Sequence, residues 1–349
     1  MEYMHESIFK SALRAFFKTV FIIFGVFAAF IPIIISLGAI SENSAELDKH
    51  TVEILPDLDG NQKYLPINTP AVLRIDIHGV IGVKGLYAKD IRSQLIESRR
   101  GLLKDDRVKA VLLHIQSPGG STNDSDIIYQ LIKDYKEKYN VPVYTYVEGL
   151  CASGGMYIAC SSDYIMSNPV SIIGSVGVYS GPHMNVKDGL DKLGISSLIV
   201  SKGKGKTNLS PFQKWEPGEE KSLTNIIEYL YGRFVDIVAT NRPKIGKDKL
   251  INDYGANIFD AKAAQQNGYI DEGNITYEQA LKKLLQAANI DTSKPYQVVR
   301  MEPKQDWLKY LSDSSANLLS GNVKHTLQLG SYETSELKDP FLYLYQPGR

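Results

Sequence analysis

Along most of the chain, short apolar runs alternate with stretches of helical spacing. "AVLRIDIHGVIG" (71–82) and "VPVYTYVEG" (141–149) read as strands. "VKAVLLHIQ" (108–116) is a near-continuous apolar run, as expected of a strand covered on both faces. "SPGG" interrupts that run, and "STNDSDIIYQLIKDYKEKY" (121–139) follows with helical spacing and capping residues at its start. "DYIMS", "SIIGSVGVYS" and "ISSLIV" supply further strands. A long amphipathic helix is predicted over 216–242, and "FDAKAAQQNGYID" (259–271) reads as a helix ending at a glycine and a last short strand. Strand, helix and strand in succession predict an α/β fold with a mostly parallel sheet. No internal repeat is visible, and beyond about Ala288 the periodicity fades until "PFLYLYQPGR".

The N-terminal pattern is different. Residues 19–40, "TVFIIFGVFAAFIPIIISLGAI", form an uncharged apolar run of 22 residues, enough at about 1.5 Å per residue to cross a hydrocarbon core of about 30 Å. Pro32 is tolerated in a membrane helix, and the run exceeds the roughly 7–15 apolar residues of a cleaved signal. A cleaved, unusually long signal is the alternative. Lys10, Arg14 and Lys18 precede it and an acidic excess follows, which puts the N-terminus in the cytoplasm and the bulk of the chain outside. The expected organisation is a cytoplasmic N-terminus (1–18), a transmembrane anchor (19–40), a polar linker (41–70), an α/β domain (71–275) and a C-terminal extension of unassigned structure (276–349).

Lysine plus arginine equals aspartate plus glutamate, 39 against 39, so no global field argues for nucleic acid. The cysteines are Cys151 and Cys160. If Ser153 opens a helix they stand roughly 13 Å apart, too far for a disulfide, and two buried thiols are expected.

"GLCASGGMYIAC" (149–160) sets Ser153 among small residues just after a strand. A serine hydroxyl is a weak nucleophile unless a neighbour takes its proton. Of the histidines, His5 precedes the apolar run, His50 lies in the linker, His78 and His114 fall in strands as satisfied core histidines, and His183 follows a turn. His325 lies in the extension. A Ser-His-Asp triad is recognised by geometry, so spacing leaves it open. Lysine is the second candidate: "LIVSKGKGKTNLSP" (198–211) carries Lys202, Lys204 and Lys206 on a glycine-rich excursion. Neighbouring like charge and burial both lower a lysine pKa, while the bland reading is a solvated basic loop. A phosphate loop is excluded, because the glycine required before "GKT" is Val200.

"SPGG", "ASGGMYIA", "IIGSVGV" and "SKGKGKTNLSP", in this order and closed by "FDAKAAQQNGYIDEGN", resemble the signal peptide peptidase A (protease IV) family over roughly residues 70–275, in its short single-unit form. The resemblance implies a crotonase- and Clp-protease-like spiral of βαβ units, and a membrane-anchored Ser/Lys endopeptidase that degrades signal-peptide remnants and other apolar peptides. It implies Ser153 as nucleophile, Lys206 as general base and Ser175 as the residue orienting the lysine, with a turn serine the rival reading of Ser175. Oxyanion donors would be the amides of Gly154 and Gly120, with Gly119 as runner-up, and Val176, Val178 and Met156 are candidate substrate contacts that core packing also explains. No metal and no cofactor is expected. The short form implies a homo-oligomeric ring in which Ser153 of one subunit meets Lys206 of its neighbour, on the periplasmic side of a bacterial inner membrane. Thr207 departs from the acidic or serine residue common after the lysine, and nothing beyond about 290 matches. A crotonase-type acyl-thioester enzyme and a non-enzymatic membrane scaffold are the alternatives.

Overall fold

The computed structural model describes residues 12–26, 28–29, 50–83, 85–303 and 339–345. His5, His325, residues 30–40 of the expected anchor and most of the C-terminal extension lie outside the described residues. Contacts divide the chain into one unit over Met1–Thr51 and another over Val52–Arg349. In the first, residues 12–26 are helical (α1), and among the described residues no helix is long and apolar enough to cross a membrane.

The second unit is built on one sheet. Among the described residues its path runs β1 (His50–Leu55), β8 (Gln297–Pro303), β2 (Ala71–Ile81), β3 (Val108–Ser121), β4 (Val143–Ala152), β6 (Ile172–Gly174) and β7 (Ile258–Asp260). β5 (Tyr164–Ser167) branches from β4, and β9 (Leu342–Leu344) from β3. The pairings β2–β3, β2–β8, β3–β4, β4–β5 and β4–β6 are parallel, whereas β9 on β3 and β7 on β6 are antiparallel. The fold is therefore α/β with a mostly parallel sheet, as the alternating pattern predicts.

Helices cover the sheet because its central strands are apolar on both sides. Leu73, Ile75 and Ile77 of β2 face a core completed by α2 (Ala88–Glu97), α3 (Thr122–Tyr139), α4 (Gly154–Ala159) and, further along the chain, α6 (Lys221–Asn241). The opposite face, with Val72, Leu112 and Tyr146, is closed by Leu281, Leu284 and Leu285 of α9 (Tyr277–Ala287). Shorter helices α5 (Lys187–Lys192), α7 (Lys247–Lys249) and α8 (Ala261–Asn267) lie in the connections.

Several sequence expectations change, among them the last short strand expected by Asp271, which does not form. β3 does not stop at "SPGG" but runs through it to Ser121, because β2 pairs with Gly119 and Gly120 on one edge and β9 with Gly119, Gly120 and Ser121 on the other, while the Pro118 carbonyl accepts from the Tyr345 amide at 2.7 Å. "ISSLIV" is not a strand: residues 195–200 are irregular and mainly exposed, since β-branched composition without a pairing edge does not hold a strand. The sheet also recruits β1 from the expected linker and β8 and β9 from the expected extension. Cys151 and Cys160 are free and buried, as expected.

A polar cluster ties three strands together on the α9 side. Asp76 receives Arg74 Nε at 2.6 Å and Arg300 Nη1 at 2.7 Å, and lies 3.6 Å from His114 Nδ1. His114 is buried and bonded, with Nε2 2.8 Å from Glu148, as its strand position predicts. His78 departs from that expectation and is exposed. Burial alone would raise the Asp76 pKa, but bonds from His114, Arg74 and Arg300 hold it well below the usual carboxylate range. A carboxyl depressed by folding stabilises the native state above its unfolded pKa, near 3.9, and that stabilisation is lost as the pH falls. Asp76→Asn should cost about 2 kcal/mol at neutral pH, and the variant should lose less stability than the wild type between pH 5 and pH 2, which urea unfolding over that range checks.

Candidate active site

Ser153 sits where β4 ends and α4 begins. Parallel pairing of Leu150, Cys151 and Ala152 with Ile172, Ile173 and Gly174 carries β4 to this turn, and the Ser153 amide donates to the Gly174 carbonyl at 2.8 Å. The chain then reverses sharply: Ser153 has φ 53° and ψ −116°, a conformation that costs a non-glycine residue roughly 1–3 kcal/mol. Its carbonyl accepts from the Tyr157 amide and starts the helix. The residue is 1% exposed, and its hydroxyl has no hydrogen-bond partner among the described residues.

Glycine is obligatory around it. Gly119 has φ 97°, and a Cβ there would collide with the Tyr343 carbonyl and stand 2.6 Å from the Gly154 nitrogen. A Cβ on Gly154 would stand 2.5 Å from Ser125 Oγ and 3.1 Å from the Tyr343 oxygen. A Cβ on Gly120 would collide with the Ile81 backbone. The structure thus brings Gly119 and Gly154, and with them the nominated Gly120, to one place beside Ser153. The Gly119 amide already donates to Ser117 Oγ at 3.1 Å.

Ser175 follows the β6 residue that pairs with Ala152, so the register sets it next to Ser153. It too has positive φ, 58°, its amide donates to the Asn257 carbonyl at 2.7 Å, and its hydroxyl has no partner among the described residues. Lys206 is not part of this grouping. It projects from the excursion over residues 180–220, exposed, with its amide donating to the Gly203 carbonyl at 3.2 Å; its amine has no bond or ion pair among the described residues. Lys202 and Lys204 are exposed beside it. Met156 and Val176 are fully buried in the core and Val178 packs against it half-buried. Packing, not contact with substrate, explains the first two. His183 Nε2 lies 3.2 Å from Ser180 Oγ on the exposed excursion.

Two features escape sequence reasoning. Asp76, His78 and His114 bring possible ligand atoms within 4.8 Å of one another, but Arg74 Nη2 stands 2.6 Å from His114 Nδ1, and both Arg74 and Arg300 bond Asp76. A guanidinium already supplies the positive charge, so the cluster does not fit a metal. The second is Tyr343 of β9, buried against Tyr157 and Phe234 with ring centroids at 5.1 and 4.8 Å. The strict alternation of "FLYLY" was its signal, though nothing local named its partner.

A buried serine on a strained strand-to-helix turn, flanked by glycines that admit only backbone, is the candidate site on this α/β sheet. The model for Peptidase family S49 matches residues 135–291, and that for Clp protease matches residues 75–173. A protein of Methanocaldococcus jannaschii that carries a protease name is 34% identical over 67% of this chain and 73% of its own length. One of Synechocystis, also named for a protease, is 30% identical over 76% of this chain and 95% of its own. A relative in Enterococcus faecium named for signal peptide peptidase SppA is 30% identical over 61% of this chain and 62% of its own. The chain belongs to peptidase family S49.

Strain at the turn is testable without any activity. Glycine accepts the φ of 53° and alanine does not, so Ser153→Gly should be more stable than Ser153→Ala by about 1 kcal/mol. Thermal unfolding of the two variants measures the difference.

Proposed function

We propose that this chain is a serine endopeptidase of apolar peptides, signal-peptide remnants among them, that works with Ser153 as nucleophile and Lys206 of a neighbouring subunit as general base. The observation that carries this reading is the buried Ser153 on its strained turn, its hydroxyl without a hydrogen-bond partner among the described residues. The uncharged Lys206 amine takes the hydroxyl proton as Oγ attacks the peptide carbonyl, then returns it to the departing amine. Water then attacks the acyl group on Ser153, the lysine accepting the water's proton and passing it to Oγ as the ester bond breaks. Ser175, beside Ser153 in the register, holds the lysine. The amides of Gly154 and Gly120 receive the oxyanion, a contribution of about 10²–10³ in rate for one donor.

The ring is supported by what the excursion exposes. Leu198 and Val200 are each 88% exposed, and Met184 and Leu193 over 70%, an apolar surface suited to a second copy of the chain. The match to a Clp protease model supports the same spiral, ring-forming architecture. The uncharged run over 19–40 behind a basic flank supports a membrane tether, with the catalytic unit on the extracytoplasmic side.

Ser153→Ala and Lys206→Ala should each abolish cleavage of a synthetic signal peptide while the protein remains folded. Mixed in equal amounts and allowed to exchange subunits, the two dead variants should regain about a quarter of wild-type activity, because one in four seams then joins an intact serine to an intact lysine. A dyad within one chain would regain nothing. Mass spectrometry of the peptide products reads the result.

A further inference from the structure

Residues 339–345 of the same chain lie across the candidate active site as a peptide would. β9 runs antiparallel to the glycine segment of β3, with Leu344 opposite Gly119, Tyr343 opposite Gly120 and Leu342 opposite Ser121. Its other edge is also bonded: the Leu342 amide donates to the Tyr179 carbonyl at 3.1 Å, and the Tyr179 amide donates to the Leu342 carbonyl at 3.2 Å. Main-chain pairing on both edges is how an extended peptide is held between strands, with alternate side chains filling pockets. Tyr343 fills one, stacked on Tyr157 and tilted against Phe234, with its hydroxyl donating to the Leu230 carbonyl at 2.9 Å. Its carbonyl oxygen stands at the glycine pocket beside Ser153, where a bound substrate would present its own.

Besides these main-chain bonds, one side chain clasps the start of the segment. Asp339 Oδ2 accepts from Ser121 Oγ at 2.8 Å, from the Asn123 amide at 3.1 Å and from Thr122 Oγ1 at 3.2 Å, while Oδ1 accepts from the Phe341 amide at 3.0 Å. These bonds clamp the strand to the start of α3. The ladder itself is three residue pairs long, short enough to detach if the clamp opens.

We infer that residues 339–345 form an autoinhibitory strap, clasped by Asp339, that occupies the peptide-binding groove and must leave before a substrate enters. The inference rests on Ser153 marking the active site. A groove that is open only part of the time binds with an apparent affinity reduced by the open fraction.

The test compares the full chain with Asp339→Ala and, should that variant fail to fold, with Leu342→Pro, which removes the amide bonded to Tyr179. Cleavage of a synthetic signal peptide and the rate of Ser153 labelling by a fluorophosphonate should both rise about tenfold, and adding the heptapeptide DPFLYLY should reverse the rise. Unchanged rates, or rates that fall and are restored by the heptapeptide, would show a strand that merely supports the fold and overturn the strap. If no form cleaves or labels, the peptidase reading fails, and binding still decides the strap. A fluorescein-labelled signal peptide should bind the variant about tenfold more tightly than the full chain, and equal binding overturns it.

Discussion

The site depends on how closely bare backbone can approach bare backbone. At Gly119, Gly120 and Gly154 there is no volume for even one methyl group: the space is taken by main-chain atoms of Tyr343 and Ile81 and by the Ser125 hydroxyl. Main chain cannot yield as a flexible side chain does, so these contacts fix how closely β3 and the start of α4 approach one another and let β9 lie directly on both. The strained φ of Ser153 persists because the bonds of its amide to Gly174 and of its carbonyl to Tyr157 determine the turn from both sides.

The two faces of the sheet do different work. On one, apolar side chains of β2, β3 and α3 pack behind α4 and give the serine turn a rigid floor. On the other, charge does the tying: Arg74, Asp76, His114 and Arg300 link β2, β3 and β8. That cluster holds possible metal-binding side chains, but two guanidinium groups already satisfy the carboxylate, and its chemistry is structural.

The excursion over residues 180–220 has the opposite character. It has few buried side chains and an apolar surface that water does not favour, and it carries the exposed Lys206. On the function proposed above, a chain that buries Ser153 and exposes Lys206 holds half of a site that a second copy would complete. Residues 339–345 have the opposite character, since they add a strand beside Ser153.

Local pattern sufficed for much of this. Apolar runs of strand length and helical spacing after Ser121 and Lys221 were enough for an α/β fold, and small residues around Ser153 marked a turn open to backbone approach. The glycine-flanked Lys206 was also visible, because short-range composition sets it on a loop. Other features required partners distant in the chain. "SPGG" continues as strand because β2 pairs along one edge and β9 arrives at the other more than 200 residues later, and "ISSLIV" does not because no edge meets it. Met156 and Val176 proved to be core because periodicity reports which residues prefer burial, not what buries them. Pairing and packing between remote segments are decided by the folded geometry alone, and so is the presence of Tyr343 beside Ser153.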